Sequence, residues 1–331
     1  MGGALVRRLL TGELGLPDKL TVYSRDEAKQ HEMRTAWAHA ESATDDVAYG
    51  DYRNILEFTI GDVRDYESVA AAVRRVDVVF HAAALKQVPS CEYSPLEAVK
   101  TNVLGAANVV RAILTEENVV EAAIAISTDK ACKPVNVMGM TKAVQERLFV
   151  TANIGQTKTR FMCVRYGNVI SSRGSVVPLF LDQISKGGPV TITLDRMTRF
   201  LLTLDRAVDT IFAVLATGVG GDTYVPKIPA AYVRDIARAL IGSREIPIRT
   251  IGIRPGEKVD EVMVSEEEIF RTIEHGDYYV IRPILPDLGG GPVKVPARMS
   301  EYSSREVTLD IPGILELLSR ASSKGPSKSA F

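Results

Sequence analysis

Between residues 20 and 165, short apolar runs rich in β-branched residues alternate with stretches of helical periodicity, which restricts the chain to very few folds. Strands are expected over 20–23, 56–60, 76–80, 123–126 and 161–165, and helices over 3–10, 26–39, 66–73, 95–114 and 138–151. Strands joined through helices pair in parallel and are covered on both faces, so the expected class is α/β with a doubly wound parallel sheet. After residue 168 the rhythm loosens, with short strands expected over 190–194, 222–225 and 248–251. This divides the chain into a sheet domain over 1–168 and a smaller, mainly ligand-binding lobe over 169–318 that covers the sheet's carboxyl edge. The polar segment 319–331 is expected to be a disordered tail.

The start of the chain departs from this scheme. Met1-Gly2-Gly3-Ala4-Leu5-Val6 reads as the end of a glycine-rich turn entering a helix, with no strand ahead of it. A doubly wound sheet carries that strand at its centre and uses the following turn to approach a pyrophosphate. The first strand is therefore expected to be truncated, with Gly2 the remnant of the turn.

Composition excludes several classes of function. The 331 residues carry 40 Lys plus Arg against 41 Asp plus Glu, so no net field favours nucleic acid. Three cysteines without metal-ligand spacing suit a reducing compartment and suggest neither disulfide nor metal. No apolar run approaches the roughly 20 residues that span a bilayer, and no signal-peptide pattern precedes the first helix. A cytoplasmic protein acting on a small molecule, with no membrane partner, is the expectation.

Candidate chemistry sits at the strand ends. Tyr23-Ser24-Arg25-Asp26-Glu27 follows the second strand of such a sheet, where a dinucleotide's adenosine ribose is read. Ser24 and Arg25 can bind a 2′-phosphate, favouring NADP over NAD, or else Ser24 caps the next helix and Arg25 is solvated. Gly61-Asp62-Val63 either meets the adenine or forms an ordinary capped turn. His81-Ala82-Ala83-Ala84-Leu85-Lys86 follows an apolar strand, and its small residues let a flat ligand approach the backbone. His81 reads as a structural histidine, while Lys86 can reach a diphosphate or sugar. Ser127-Thr128-Asp129-Lys130 then sets a carboxylate beside an ammonium, followed by a helix carrying Met138 and Lys142 on one face.

These motifs, with Thr101-Asn102-Val103-Leu104-Gly105, Arg165-Tyr166-Gly167-Asn168-Val169 and Arg254-Pro255-Gly256-Glu257-Lys258, resemble the extended short-chain dehydrogenase/reductases of polysaccharide biosynthesis. Among these the chain is similar to the UDP-N-acetylglucosamine 4,6-dehydratases, over residues 2 to about 283. The resemblance implies a Rossmann-type fold, NADP as cofactor and a 4-keto-6-deoxy sugar nucleotide as product. It further implies cofactor contacts from Gly2, Ser24, Arg25, Asp62, Val63, Ala82, Ala83, Asn102 and Lys142, and substrate contacts from Lys86, Val88, Asn168, Arg173, Arg199, Arg254 and Glu257. Asp129 and Lys130 take the acid and base roles and Thr128 orients the C4 oxygen. Met138 replaces the tyrosine that ordinarily removes the C4 hydroxyl proton, and as a thioether it only packs. Lys130 is expected to have its pKa lowered toward ~7 to 8 by burial beside the nicotinamide, the range useful for a base. By the same analogy the apolar faces of helices 105–114 and 138–151 pair two copies into a homo-oligomer. Two other readings stay open: a UDP-sugar 4-epimerase, and a non-catalytic nucleotide-sugar-binding subunit.

Overall fold

The computed structural model describes residues 1–42, 55–74, 76–115, 120–155, 158–170 and 175–323. Helix α1 (Gly2–Leu10) leads into β1 (Leu20–Ser24), α2 (Glu27–Ser42), β2 (Leu56–Ile60), α3 (Tyr66–Val73) and β3 (Val78–His81). Helices α4 (Val88–Tyr93) and α5 (Pro95–Ala98) precede α6 (Gly105–Thr115), β4 (Ala122–Ile126), α7 (Val137–Thr151) and β5 (Arg160–Val164). Each expected strand and helix of this half is present within a few residues. The helix expected over 95–114 is interrupted by a π-helical segment, Val99–Leu104, at the position where the fully buried Asn102 turns inward.

The second half adds β6 (Asn168–Val169), α8 (Val176–Ser185), β7 (Val190–Ile192), β8 (Thr198–Leu202), α9 (Leu204–Thr217), β9 (Thr223–Pro226), β10 (Ala230–Tyr232) and α10 (Val233–Ile241). It ends with β11 (Ile248–Thr250), β12 (Val262–Val264), α11 (Glu266–Ile269), β13 (Thr272–His275), β14 (Tyr278–Ile281), β15 (Tyr302–Ser303) and α12 (Ile311–Ser323). The main sheet has six strands in the order β13-β14-β9-β5-β4-β3, parallel from β9 to β3. Three of those strands come from the second half, so the chain after residue 168 does not form a separate lobe throughout: β9, β13 and β14 return to extend the sheet.

Strand β4, Ala-Ala-Ile-Ala-Ile, is buried along its whole length because both faces are covered. Its Ala122, Ile124 and Ile126 pack with α1 and α9, while Ala123 and Ala125 pack with α3, α6 and α7. Strands β1 and β2 form a parallel pair apart from the main sheet, and among the described residues no ladder joins β1 to β3. The single continuous sheet expected from the alternation is thus two pieces. Helix α1 bridges them, with Ala4 and Leu5 in the β4 core and Val6 and Leu10 against Leu20 and Val22 of β1.

Helix α12 corrects the expected tail. It continues through Ser323 because Ile314 is fully buried against the α10 core, with Leu317, Leu318 and Ala321 packed on the same cluster. A stripe of three or four apolar residues is enough to order a segment that is otherwise polar; residues 324–331 lie outside the described region.

The first turn of α7 lies directly against the short 3₁₀ turn Asp129–Ala131. Asn136 caps α7 by accepting from the Gly139 N–H at 2.7 Å, and a methyl group at Gly139 would run into the Lys130 carbonyl. The Gly139→Ala variant should therefore lose about 1–3 kcal/mol through forced displacement of this turn, read as a lowered denaturant midpoint with unchanged m-value.

Candidate functional site

Parallel strands end on one edge, so Ser24, Asp62, Ala82, Ser127 and Asn168 leave the sheets on the same side. At that edge β4 continues past its last residue: the Ser127 N–H donates to the Val164 carbonyl at 2.7 Å and the Asp129 N–H to the Tyr166 carbonyl at 3.1 Å. The Thr128 hydroxyl caps the 3₁₀ turn and donates to Asp129 Oδ1 at 2.9 Å. Asp129 is fully buried, and a side chain at Gly167, which lies beside its Oδ2, would run into Phe200.

The ammonium of Lys130 lies 3.0 Å from Asp129 Oδ1, 3.1 Å from Glu261 Oε1 and 3.4 Å from Asn168 Oδ1. Burial alone would push its pKa down, but the two carboxylates together outweigh burial and raise it above the usual lysine value. Lys130 thus shifts opposite to the lowering expected, through the adjacent Asp129 first and then through Glu261, which is distant in the sequence. Lys142 shows the opposite balance. Desolvation at the foot of α7 brings its pKa down to about 8, with Glu146 opposing, and its Nζ donates to the Ile126 carbonyl at 2.5 Å and to Gln145 Oε1 at 2.7 Å.

Behind the pair, Arg165 donates to Glu146 from Nε (3.0 Å) and Nη2 (2.6 Å), and to Glu268 from Nη1 (2.8 Å) and Nη2 (3.0 Å). Glu146 Oε1 also accepts from the Ser127 hydroxyl at 2.5 Å, so one charge cluster joins β4, β5, α7 and α11. Glu268 is held down to about 2: burial pushes upward, and Arg165 with Arg271 overcomes it.

Other expected site residues are distributed as follows. Met138 is buried against Cys91 and Ala98, as pure packing. Asn102 accepts from the Leu85 N–H at 2.8 Å and donates to the Leu85 carbonyl and to Thr141 Oγ1, both at 3.0 Å, so it braces the loop carrying Ala82, Ala83 and Lys86 against α7. His81 stacks on Phe149 and is kept neutral, burial and then Lys142 lowering its pKa to about 3. Val88 touches the Gly256 turn, and Asn136 donates to the Gly256 carbonyl at 2.7 Å, which docks the loop of exposed Arg254 and half-buried Glu257 beside α4. Arg199 was expected to meet a diphosphate, yet it is buried and gives its Nη donors to the carbonyls of Thr198, Val259 and Lys258. It clamps the segment that holds Glu261. Arg173 lies outside the described residues.

At the far end of the edge, the Ser24 hydroxyl accepts from the Asp26 N–H at 3.1 Å, and Arg25 lies 3.6 Å from Asp62 with about half its side chain exposed. Val63 is buried against Gly105. These residues fit a dinucleotide: Ala82 is exposed at the end of β3, and Arg25 stands half exposed at the end of β1. Gly2, Ala82 and Ala83 would line it and Arg25 would meet a phosphate on the ribose. No group of three or more metal-ligating side chains occurs among the described residues, and no described helix is long and apolar enough to cross a membrane.

Sequence reasoning missed Glu261, Glu146 and Gln145. Nothing local marks them, although Glu261 lies four residues after Glu257 of a motif that had been singled out.

Residues 1–283 match the sequence profile of a family described as polysaccharide biosynthesis protein. The chain is 44% identical over 272 residues to UDP-N-acetylglucosamine 4,6-dehydratase (inverting) of Campylobacter jejuni, 81% of this chain and 76% of that one. It is 42% identical over 330 residues to UDP-glucose 4-epimerase of Rickettsia canadensis, 96% of this chain and 92% of that one. Among solved structures, Pen from Bacillus thuringiensis superposes with a TM-score of 0.84 at 31% identity, covering 97% and 96% of the two chains. A UDP-glucuronic acid 4-epimerase from Bacillus cereus, in complex with UDP-glucuronic acid and NAD, shares the fold at a TM-score of 0.62 and 19% identity, covering 78% and 85%.

The depressed Lys142 pKa has a measurable consequence. Between about 8 and 10.5 the folded protein has released this proton while the unfolded chain still binds it, so wild-type stability rises with pH across that window. A Lys142→Met variant lacks the effect. Its stability relative to wild type should fall by about 1–3 kcal/mol from pH 7.5 to pH 10.5, followed by urea unfolding.

Proposed function

The chain belongs to the polysaccharide biosynthesis family of nucleotide-sugar-modifying short-chain dehydrogenase/reductases, and on that premise we propose that it is an NADP-dependent UDP-N-acetylglucosamine 4,6-dehydratase. The observation that supports this reading best is the pair of buried Asp129 and half-buried Lys130 at the carboxyl edge of the sheet. Removing water across C5 and C6 requires one group to take the C5 proton and another to protonate the departing C6 hydroxyl. Adjacent, oppositely charged side chains supply both. When bound, NADP supplies a hydride acceptor for C4 and a hydride donor for C6.

Thr128, whose hydroxyl is already hydrogen-bonded to Asp129, orients the C4 oxygen, and with methionine at 138 the C4 hydroxyl proton leaves by a water relay through Thr128, which keeps Asp129 free to act in the elimination. The nucleotide diphosphate lies along the loop of Arg254 and Glu257 with Lys86 opposite, since forked and point cations suit phosphate and a carboxylate suits ribose. Arg25 selects NADP. The reading is completed by a cytoplasmic homo-oligomer formed through α6 and α7, where Leu114, Met140 and Val144, with Leu104 just before α6, are exposed.

A 4-epimerase is the second reading, favoured by relatives named as UDP-glucose 4-epimerases at similar identity. Mass spectrometry of the product from UDP-N-acetylglucosamine separates the two. A product lighter by one water supports dehydration, an unchanged mass assigns epimerisation, and no turnover with cofactor demonstrably bound removes the enzymatic reading. Lys130→Ala should lower dehydration by about 10²–10⁴-fold. The Arg25→Ala variant should weaken NADP binding by about 10–100-fold and leave NAD binding within about twofold, read by fluorescence titration of the two reduced cofactors.

A further inference from the structure

Glu261 is a glutamate with 1% exposure, in the segment just before β12, and none of the motifs used above includes it. Its backbone is fixed on both sides: its N–H donates to the Ser304 hydroxyl at 2.9 Å and its carbonyl accepts from the Ser304 N–H at 2.8 Å. Its carboxylate faces three cations from three segments: Lys130 at 3.1 Å, Arg199 of β8 at 3.9 Å and Lys258 at 3.9 Å. The latter two are engaged elsewhere, Arg199 with three backbone carbonyls and Lys258 with the Cys132 carbonyl at 2.6 Å. The neighbouring Asp260 is taken up by the Thr198 hydroxyl at 2.7 Å. Lys130 is therefore the cation that Glu261 serves, and from the other side Lys130 meets Asp129 and the neutral Asn168.

One oxygen of each flanking carboxylate, Asp129 Oδ2 and Glu261 Oε2, is buried without a hydrogen-bond partner among the described residues. The carboxylates of Glu146 and Glu268 around Arg165, by contrast, have both oxygens hydrogen-bonded. Leaving two open acceptors around one ammonium is costly for stability and points to proton handling.

We propose that Glu261 is a positioning residue that keeps Lys130 an ammonium, so that Lys130 gives up a proton in the elimination and Asp129 takes one. The assignment of these roles rests on the dehydration reading; the charge control by Glu261 does not. In the elimination the C5–H bond breaks as an Oδ2–H bond forms on Asp129, and the freed electron pair becomes the C5–C6 double bond. The C6–O bond breaks, and its oxygen leaves as water with a proton from Lys130 Nζ, whose N–H electron pair stays on nitrogen. The step is redox-neutral and needs no further reactant. Glu261 changes no bond; it holds the proton on Lys130 until the leaving oxygen takes it. The raised Lys130 pKa agrees with this arrangement.

The test is a side-chain NMR titration of the full chain labelled with ¹³C-lysine, without substrate, with the Lys130 signal assigned by its loss in Lys130→Arg. In the wild type that signal should remain in its charged form beyond the ordinary lysine midpoint of about 10.4. In Glu261→Gln its midpoint should fall by about 1 to 3 pH units, because an opposite charge at contact distance has been removed. An unchanged midpoint overturns the proposal, as does a wild-type Lys130 that is already neutral near pH 8. If Glu261→Gln does not fold, Glu261→Asp, which withdraws the carboxylate by one methylene, is read in its place: a smaller fall supports the proposal and no change overturns it. Because no turnover is required, failure here is distinct from failure of the dehydratase reading, which the product mass decides.

Discussion

One buried guanidinium organises this molecule. Arg165, at the end of β5, engages Glu146 of α7 and Glu268 of α11, and Glu146 in turn takes the hydroxyl of Ser127 at the end of β4. An unpaired charge at that depth would cost several kcal/mol, so its partners can leave only together. The cluster therefore fixes the distance between the sheet edge, the helix carrying Lys142, and the segment that returns from the second half of the chain.

That fixed frame positions the turn above it, where the proposed chemistry is placed. Ser127 and Asp129 extend the β4 ladder onto β5, so Asp129 enters the site buried, on a strand-like backbone rather than on a free loop. Gly139 lets α7 come close beneath Lys130, and Gly167 leaves space beside Asp129. Arg199 holds the segment that brings Glu261 to the other side of Lys130. The two site lysines consequently shift in opposite directions: Lys142, buried with neutral acceptors nearest, is lowered, and Lys130, buried between two carboxylates, is raised. Burial by itself does not set the sign of a lysine's shift; the count of carboxylates within reach does.

Much of the architecture was legible in the residues. Period-two and period-3.6 patterns located β1 to β5 and α1, α3 and α7 within a few positions, because those elements bury one face or both against a core. The same patterns failed where the cause was non-local. The π-helical segment at Val99–Leu104 follows from Asn102 bonding to Leu85, and the order of α12 beyond residue 318 follows from contact with α10. The return of β9, β13 and β14 to the main sheet depends on pairing that short strands do not announce.

The sequence by itself determined the parallel α/β frame, the adjacency of Asp129 and Lys130, the placing of Met138 and Lys142 on one helix face and the family to which the chain belongs. These are properties of local pattern and of neighbours along the chain. Only the tertiary structure decided that Asn102 and Arg199 spend their donors on backbone, and that the β1–β2 pair stands apart from the main sheet with α1 between them. It also set the direction of the Lys130 shift, because a pKa is set by the charges within a few ångströms, and here a second carboxylate beside Asp129, that of Glu261, arrives from 131 positions further along the chain.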